Sequence, residues 1–153
     1  MEIREMDEKD CRAVLQRAAL GRLGCSLDNQ PYVVPVYFAY EAGYLYSFST
    51  LGQKIDWMRS NPKVCLQVDE MTSDAEWASV IANGRYQELA EPQHETEIAH
   101  ARQVLEKHHR WWLNAIAERR LRMGDQFIEP LFFRIQVDSL SGLAAHANGE
   151  SSR

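Results

Sequence analysis

The stretch YVVPVYFAYEAGYLYSFSTLGQK, Tyr32–Lys54, joins two apolar, strand-forming segments to a corner that is rich in hydroxyl groups and ends in a lysine. Pro35 lies in the middle of the first segment. Proline has no N–H to donate to a neighbouring strand, so it is confined to edge strands, bulges and local openings. We therefore expect this strand to leave main-chain groups unpaired beside Pro35.

Side chains alternate between two faces along a β-strand. The alternation predicts that Val34, Val36 and Phe38 fill a core and that Val33, Pro35 and Tyr37 point outward. The outer face would then be a flat, mostly apolar shelf with unpaired main-chain groups along its edge. Such a shelf suits an aromatic ring whose rim carries hydrogen-bonding atoms.

The second segment ends in a corner that suits an anion. Ser47 and Ser49 share one face of their strand, and Thr50–Lys54, TLGQK, follows where the chain is predicted to enter a helix. Hydroxyl groups, a glycine that lets the backbone approach closely, helix N–H groups and a lysine in the first turn together favour a bound phosphate. Hydrogen bonds to charged groups contribute roughly 1.5–3 kcal/mol each, so two or three would hold it. The alternative is a solvated lysine after an ordinary turn.

The remaining patterns predict a mainly β fold, a small barrel with peripheral helices. Period-two alternation predicts a three-stranded meander over residues 22–49 and further strands over 63–70, over 76–91 with a bend or bulge at Asn83 and Gly84, and over 130–142. Helices are predicted over 7–20 with Asp7 as N-cap, over 50–60, and over 92–109. Six strands fill a closed or half-closed barrel with side chains, so a ligand would bind outside it, in a groove or at a dimer seam.

Length and composition favour a single globular domain. The chain has 153 residues, of which 45% are hydrophobic and 25% charged. We expect one domain over 1–153, with a core over about 21–142, an N-terminal helix over 7–20, a helical insert over about 92–122 and a frayed tail over 143–153. The three cysteines lack a C-x-x-C pair, so neither a disulfide framework nor a metal site is expected.

The charge balance argues against two classes of partner. A net charge of −5 gives no clustered basic surface for nucleic acid or anionic lipid. The charged N-terminus lacks the apolar segment of a signal peptide, and no apolar run is long enough to span a membrane. We therefore expect a cytoplasmic protein with a small-molecule ligand.

Six segments, taken in order, resemble one family. They are GRLGCSL, PYVVPVYFAY, GYLYSFSTLGQK, NPKVCLQVDE, WASVIANGR and PLFFRIQVDSLSG, which run from about Gly21 to Gly142. Together they resemble the pyridoxamine 5′-phosphate oxidase-like FMN-binding split barrels, and within them the nitroimidazole-reductase-like branch. The resemblance implies a six-stranded antiparallel split barrel that forms a homodimer, with FMN sites at the interface built by both subunits.

The resemblance also implies which residues contact the cofactor. Lys54 would grip the FMN phosphate with help from Ser49, Thr50 or Gln53, and Ser47 belongs to the same corner. The expected ring contacts are the main chain of Pro35, Val36 and Tyr37, the side chain of Ser79, and Gln67, which alternation places on the same face as Ser79. Trp111 and Trp112 are either buried in the core or available to reach across the dimer, and Trp112 is our candidate for covering the flavin.

The function implied is that of a flavin-dependent oxidoreductase acting on a small electron-poor substrate. The chain lacks the basic residues and the C-terminal segment with which the oxidases proper bind pyridoxal, so it does not resemble those enzymes in their substrate site. It also has Phe48 where many relatives of the nitroimidazole branch have histidine, which puts nitro-group reduction in doubt. The alternative is a flavin or haem carrier of the same fold without turnover.

Two other cofactors stay open. Some relatives of this fold bind haem, for which His109 or His146 would be the axial ligand, and a deazaflavin could replace FMN. The histidines at 94 and 100 are not at a facing helical spacing, so we read them as solvated or packing residues.

Overall fold

The structure, a computed structural model, describes residues 1–108 and 130–148. Its strands are β1 (Glu2–Glu5), β2 (Leu20–Leu27), β3 (Gln30–Tyr37), β4 (Ala39–Glu41), β5 (Tyr44–Ser49), β6 (Lys63–Ser73), β7 (Glu76–Leu89) and β8 (Leu131–His146). Its helices are α1 (Glu8–Arg17), α2 (Gln53–Ser60) and α3 (Glu95–His108). The six predicted strands are present, and two short strands, β1 and β4, add to them.

All strand pairs are antiparallel and belong to one curled sheet. The order is β3-β2-β6-β7-β8-β5-β4, and β1 pairs with the far end of β8. The sheet does not close on itself, and the three helices lie at its periphery. This architecture confirms the predicted fold class, a mainly β split barrel with peripheral helices.

Strand β3 lies at an edge of the sheet, as Pro35 predicts. Among the described strands it pairs only with β2, through a two-residue turn in which Asp28 and Asn29 have φ angles of 49° and 67°. Positive φ at both central residues is the type I′ turn, whose twist matches that of the flanking strands. The predicted inner and outer faces are also confirmed, since Val36 and Phe38 are buried whereas Val33 and Tyr37 are exposed.

The predicted meander is wrong in its second hairpin. The strand that begins at Gln30 ends at Tyr37, where the Phe38 N–H donates to the Ala19 carbonyl at 3.0 Å. The chain then turns, and Ala39–Glu41 pairs with β5 instead. Strands β3 and β5 thus face each other across an open slit, which one hydrogen bond bridges from the Ser47 hydroxyl to the Tyr37 carbonyl at 2.7 Å.

The core lies on the inner side of the curled sheet, and side chains from two helices contribute to it. Two helices bury side chains there, Cys11, Val14 and Leu15 from α1 and Ile55 and Met58 from α2. Helix α3 packs on the other side of β5 and β8, where Ala101, Val104 and Leu105 join Tyr46 and Phe132 in a second cluster. The site therefore cannot lie in the barrel interior, which side chains occupy.

Element ends differ from the predictions at three places. Helix α1 ends at Arg17 rather than at residue 20, because the segment from Leu20 pairs with β3; its predicted N-cap is confirmed, since Asp7 accepts from the Asp10 N–H at 2.7 Å. Helix α3 begins at Glu95, after a turn at 91–94. The remainder of the predicted helical insert, 109–122, lies outside the described residues.

The predicted frayed tail is wrong for its first residues. Leu143–His146 continues β8, held between β1 on one side and β7 on the other. The segment LAAH shows little alternation of polar and apolar residues, so the sequence gives no strand signal here. The strand is evident only from its pairing with β1 and β7. In the described part of the chain, no helix has the length and apolar character needed to span a membrane.

Candidate functional site

The outer face of β3, β2, β6 and β7 carries the predicted ring contacts except Val36, whose side chain is buried on the inner face. The register aligns Pro35 with Arg22, Arg22 with Gln67, and Gln67 with Ile81. Residues in register share one face of a sheet, so these four side chains form a row across four strands. We call this row the central row.

Around the central row the outer face is apolar and open. The side chains that share this exposure are Leu20 (44%), Val33 (64%), Tyr37 (41%), Met71 (69%), Ile81 (41%) and Leu143 (46%). Six large apolar residues on one sheet face exceed the scattered exposure that is normal on a protein surface. Such a face is typical of a surface that a ligand or a partner covers.

A small polar network interrupts this apolar face. The Gln67 amide donates to the Ser79 hydroxyl at 3.1 Å and to the Asp69 carboxylate at 3.2 Å. The same carboxylate oxygen of Asp69 accepts from the Arg22 guanidinium at 2.8 Å. The structure thus brings the predicted residues Gln67 and Ser79 together and adds two residues that the sequence analysis did not propose, Arg22 and Asp69.

The free edge of β3 offers main-chain groups to a ligand. In an antiparallel pair, residues alternate between those that bond across the pair and those whose main chain faces the other way. The two-residue turn and the bond from Phe38 to Ala19 fix this alternation, so Val36 bonds toward β2 while the main chain of Val33, Pro35 and Tyr37 faces the free edge. Of the predicted main-chain contacts, Pro35 and Tyr37 are therefore placed at the edge and Val36 is not.

The two predicted serines are buried and already used as donors. The Ser47 hydroxyl donates to the Tyr37 carbonyl at 2.7 Å, and the Ser49 hydroxyl donates to the Thr50 carbonyl at 2.7 Å. A phosphate requires donors, and a hydroxyl has only one proton to give. In this conformation the two serines shape the corner rather than offer protons to an anion.

The start of α2 lacks a side-chain cap. Gly52 occupies the N-cap position and has no side chain that could accept from the N–H groups of the first turn. Gln53 is exposed, and Lys54 is half-buried in the first turn. Burial raises the pKa of the Cys25 thiol, and the Lys54 ammonium opposes part of that rise.

Helix α2 is anchored to the sheet at its other end. The Arg59 guanidinium donates to both carboxylate oxygens of Glu88 on β7, at 2.7 and 3.2 Å, and the Tyr86 hydroxyl donates to the same carboxylate at 2.8 Å. The hydrogen bonds from Arg59 lower the pKa of Glu88 below its ordinary value. Burial raises the pKa of Tyr86, which stays a neutral donor. This anchor fixes the helix whose first turn forms the corner.

A trough crosses the outer face beside the central row. It has a volume of about 540 Å³ and a floor formed by Gly24 and Cys65, with Val33, Asn83, Lys63 and Arg85 around it. A Cβ atom on Gly24 would lie 2.9 Å from the Cys65 sulfur, so a larger residue at this position would not fit without a shift of Cys65. The Arg85 guanidinium is held by Asp138 through two contacts of 3.2 Å.

Some candidates fall elsewhere. Trp111, Trp112 and His109 lie outside the described residues, so the predicted cover of the ring stays a prediction. His146 is exposed at the end of β8, where it is in register with Glu2. Among residues 1–108 and 130–148, no group of three or more His, Cys, Asp or Glu side chains could hold a metal ion.

Arg22 and Asp69 could not be proposed from the sequence alone. Alternation with the buried residues Leu23 and Leu66 places both on the outer face. However, β2 and β6 are far apart in the sequence, and no local sequence pattern indicates that they pair. Only that pairing brings the guanidinium beside Gln67.

Comparison with known proteins gives one family. A model described as pyridoxamine 5′-phosphate oxidase matches residues 7–144. An uncharacterized protein of Rhizobium meliloti (strain 1021) is 42% identical over 149 residues, which cover 96% of this chain and 98% of that protein.

Solved structures give the same fold. The crystal structure of a FAD-binding protein from Mesorhizobium loti is 40% identical, with a TM-score of 0.76 over 96% of this chain and 99% of that one. A protein of Bacteroides thetaiotaomicron described in connection with 5-nitroimidazole antibiotic resistance is 21% identical, with a TM-score of 0.66 over 94% and 89% of the two chains. At that identity the likeness supports the fold alone.

Proposed function

The chain belongs to the pyridoxamine 5′-phosphate oxidase family, and from this premise we propose that it binds a flavin, with FMN as cofactor, and serves as a flavin-dependent oxidoreductase of a small electron-poor substrate. The observation that carries the proposal is the outer face, where exposed apolar side chains lie beside the edge of β3 and around the hydrogen-bonded pair of Gln67 and Ser79. When bound, the flavin would supply the electron transfer, and the protein would bind and orient it.

The residues present fit an isoalloxazine ring. Its faces are apolar, as are many side chains of the outer face, and its pyrimidine rim carries an N–H donor, which matches the Pro35 carbonyl at the edge of β3. The Gln67 amide and the Ser79 hydroxyl supply polar groups at the opposite side. A pocket that is mostly apolar with a few placed polar groups is the usual form of a cofactor site.

The residues at the start of α2 fit the phosphate. Lys54 supplies a positive charge, and the first-turn N–H groups that follow Gly52 supply donors with the favourable end of the helix dipole. The slit bond between Ser47 and Tyr37 brings the end of β3 beside β5, from which the corner continues. The ring and phosphate subsites thus belong to neighbouring parts of the molecule.

The nature of the flavin is a separate question. The contacts above account for a ring and one phosphate, which is FMN. The relative from Mesorhizobium loti is a FAD-binding protein, and FAD would need room for an additional adenosine phosphate, for which the trough over Gly24 and Cys65 is available. Release of the bound cofactor by heat, followed by chromatography against FMN and FAD standards, decides between them.

A homodimer completes the proposal. The apolar outer face remains exposed on the described subunit, and pairing with a second copy would cover it and exclude water from the ring. Residues of the partner would then contribute to each cofactor site. Light scattering of the purified protein should give twice the subunit mass; a monomer at every concentration would contradict this part.

The phosphate assignment is tested with Lys54→Ala. Losing one charged contact of roughly 1.5–3 kcal/mol should weaken FMN binding about 10- to 100-fold in a fluorescence titration. Lys9→Ala on α1 removes the same charge away from the corner and should bind FMN as the wild type does. Equal affinity in the two variants would contradict the assignment.

Binding and turnover are separated by a second experiment. Reduced nicotinamide is added to the holoprotein in the presence of an electron-poor acceptor, and its oxidation is followed. Turnover above the rate of free flavin supports an oxidoreductase. Nicotinamide oxidation no faster than with free flavin would identify the protein as a carrier.

A further inference from the structure

Arg22 occupies a position on the outer face that none of the predicted contacts explains. It is the residue of β2 in the central row, with Pro35 of β3 on one side and Gln67 of β6 on the other. Its side chain is 52% exposed, and its guanidinium contacts the Asp69 carboxylate at 2.8 Å. It is the positive charge of the central row, whose other members are Pro35, Gln67 and Ile81.

The sheet geometry limits where a ring can lie. Neighbouring strands are about 4.8 Å apart, so β3 and β6 are separated by roughly 10 Å across β2. A ring that touches both the main chain of Pro35 and the amide of Gln67 must cross β2 at the central row. Arg22 is the side chain at that crossing.

The polar network holds the guanidinium in place. One Asp69 oxygen accepts from Arg22 and also from the Gln67 amide, at 2.8 and 3.2 Å. Gln67 is in turn held by Ser79 at 3.1 Å. Two neighbouring strands thus orient the cation, and Asp69 offsets part of its charge.

We infer that Arg22 contacts the flavin ring and raises its reduction potential, with Asp69 as the residue that positions and partly neutralises it. This inference rests on the proposed function. Uptake of two electrons and one proton, supplied by a chemical reductant and the solvent, leaves the ring with one negative charge. A cation beside the ring stabilises that charged form more than the neutral oxidised form, and the effect is strong where water is excluded.

The test compares midpoint potentials of the holoprotein, measured by reduction with dithionite against a reference dye. Arg22→Gln should lose about a tenfold preference for the reduced flavin, which lowers the potential by about 30 mV for a two-electron couple. Asp69→Asn leaves the cation less neutralised and should shift the potential in the opposite direction. Arg17→Gln removes a guanidinium that pairs with Glu70 at 2.6 Å outside the central row, and it should leave the potential unchanged.

Opposite shifts in the first two variants would support the inference, since a merely loosened fold does not change sign between them. If Arg22→Gln folds but no longer binds flavin while Arg17→Gln does, contact is supported, and Asp69→Asn still tests the charge effect. An unchanged potential in Arg22→Gln or Asp69→Asn with flavin bound overturns the inference and leaves the proposed function intact. A wild-type protein that takes up neither FMN nor FAD overturns the proposed function itself.

Discussion

The inner and outer faces of the same four strands differ both in composition and in what covers them. On the inner face Leu66, Val68 and Val80 are 1%, 0% and 0% exposed, whereas on the outer face Val33 and Ile81 are 64% and 41% exposed. The inner face is apolar, whereas the outer face also carries the polar side chains of Arg22, Gln67, Asp69 and Ser79. Helices α1 and α2 and the curl of the sheet cover the first, and the described residues leave the second open.

This difference shows that stability and binding are carried by alternate residues of the same strands. Burial of apolar surface stabilises by about 25 cal/mol per Å², but only where the surface leaves water. The inner side chains contribute that free energy within one subunit. The outer ones can contribute only when a flavin or a second copy covers them, so substitutions on the two faces should affect different measurements.

The largest effect is expected on the inner face. Leu66→Ala removes a fully buried side chain that packs against Gly21, and should lower the free energy of unfolding by about 2–5 kcal/mol. Urea denaturation measures it. Met71→Ala on the outer face of the same strand is the matched control and should change the subunit's stability by less than about 0.5 kcal/mol. Similar losses of stability in both variants would refute the claim that only the inner face stabilises the single subunit.

The next effect is expected on the outer face and in assembly. Ile81→Arg places a charge in the central row without disturbing the core, so the subunit should fold normally. If two outer faces pair, the dimer dissociation constant should rise on the order of 100-fold, or about 2.8 kcal/mol. Analytical ultracentrifugation measures it, with Gln103→Arg on the exposed side of α3 as control. A dimer as tight as the wild type would exclude this face as the interface.

A smaller effect on stability is expected at the slit between β3 and β5. Ser47→Ala removes the hydrogen bond that crosses the slit to Tyr37, and should cost about 1 kcal/mol of stability. Ser49→Ala removes a bond to the adjacent residue Thr50, which joins no separate elements, so a smaller loss is expected. Thermal unfolding separates the two. A larger loss from Ser49→Ala would show that the slit bond does not hold the edges together.

The sequence predicted the faces better than the connections between them. Alternation around Pro35 predicted the edge strand and its two faces because both depend on local patterns. The break at Phe38 depends on its bond to Ala19, and the strand over 143–146 depends on β1 and β7. Those are long-range contacts that local periodicity does not contain.

The same distinction applies to the candidate site. Gln67 and Ser79 were predicted from alternation and from the family resemblance, and their side chains do meet. Ser47 and Ser49 were predicted from their shared strand face and from the kinds of residue in the corner that follows, and their protons are used inside the protein. Composition indicates which groups are present at a corner, whereas the backbone that folds around them determines which are left for a ligand.

The smallest effect is expected where α2 is anchored to β7. Arg59 and Glu88 are partly exposed, 44% and 27% by side chain, so Glu88→Gln should cost only about 0.5 kcal/mol. Arg59 lowers the pKa of Glu88 below its ordinary value of 4.5, so the pair stabilises the fold at neutral pH and its contribution is lost as the pH falls through that lowered pKa. Urea denaturation at pH values from about 7 down through that lowered pKa should show the wild type and the variant converging at the acid end. A gap that persists there would mean that the glutamate acts through packing or through the Tyr86 hydroxyl rather than through its charge.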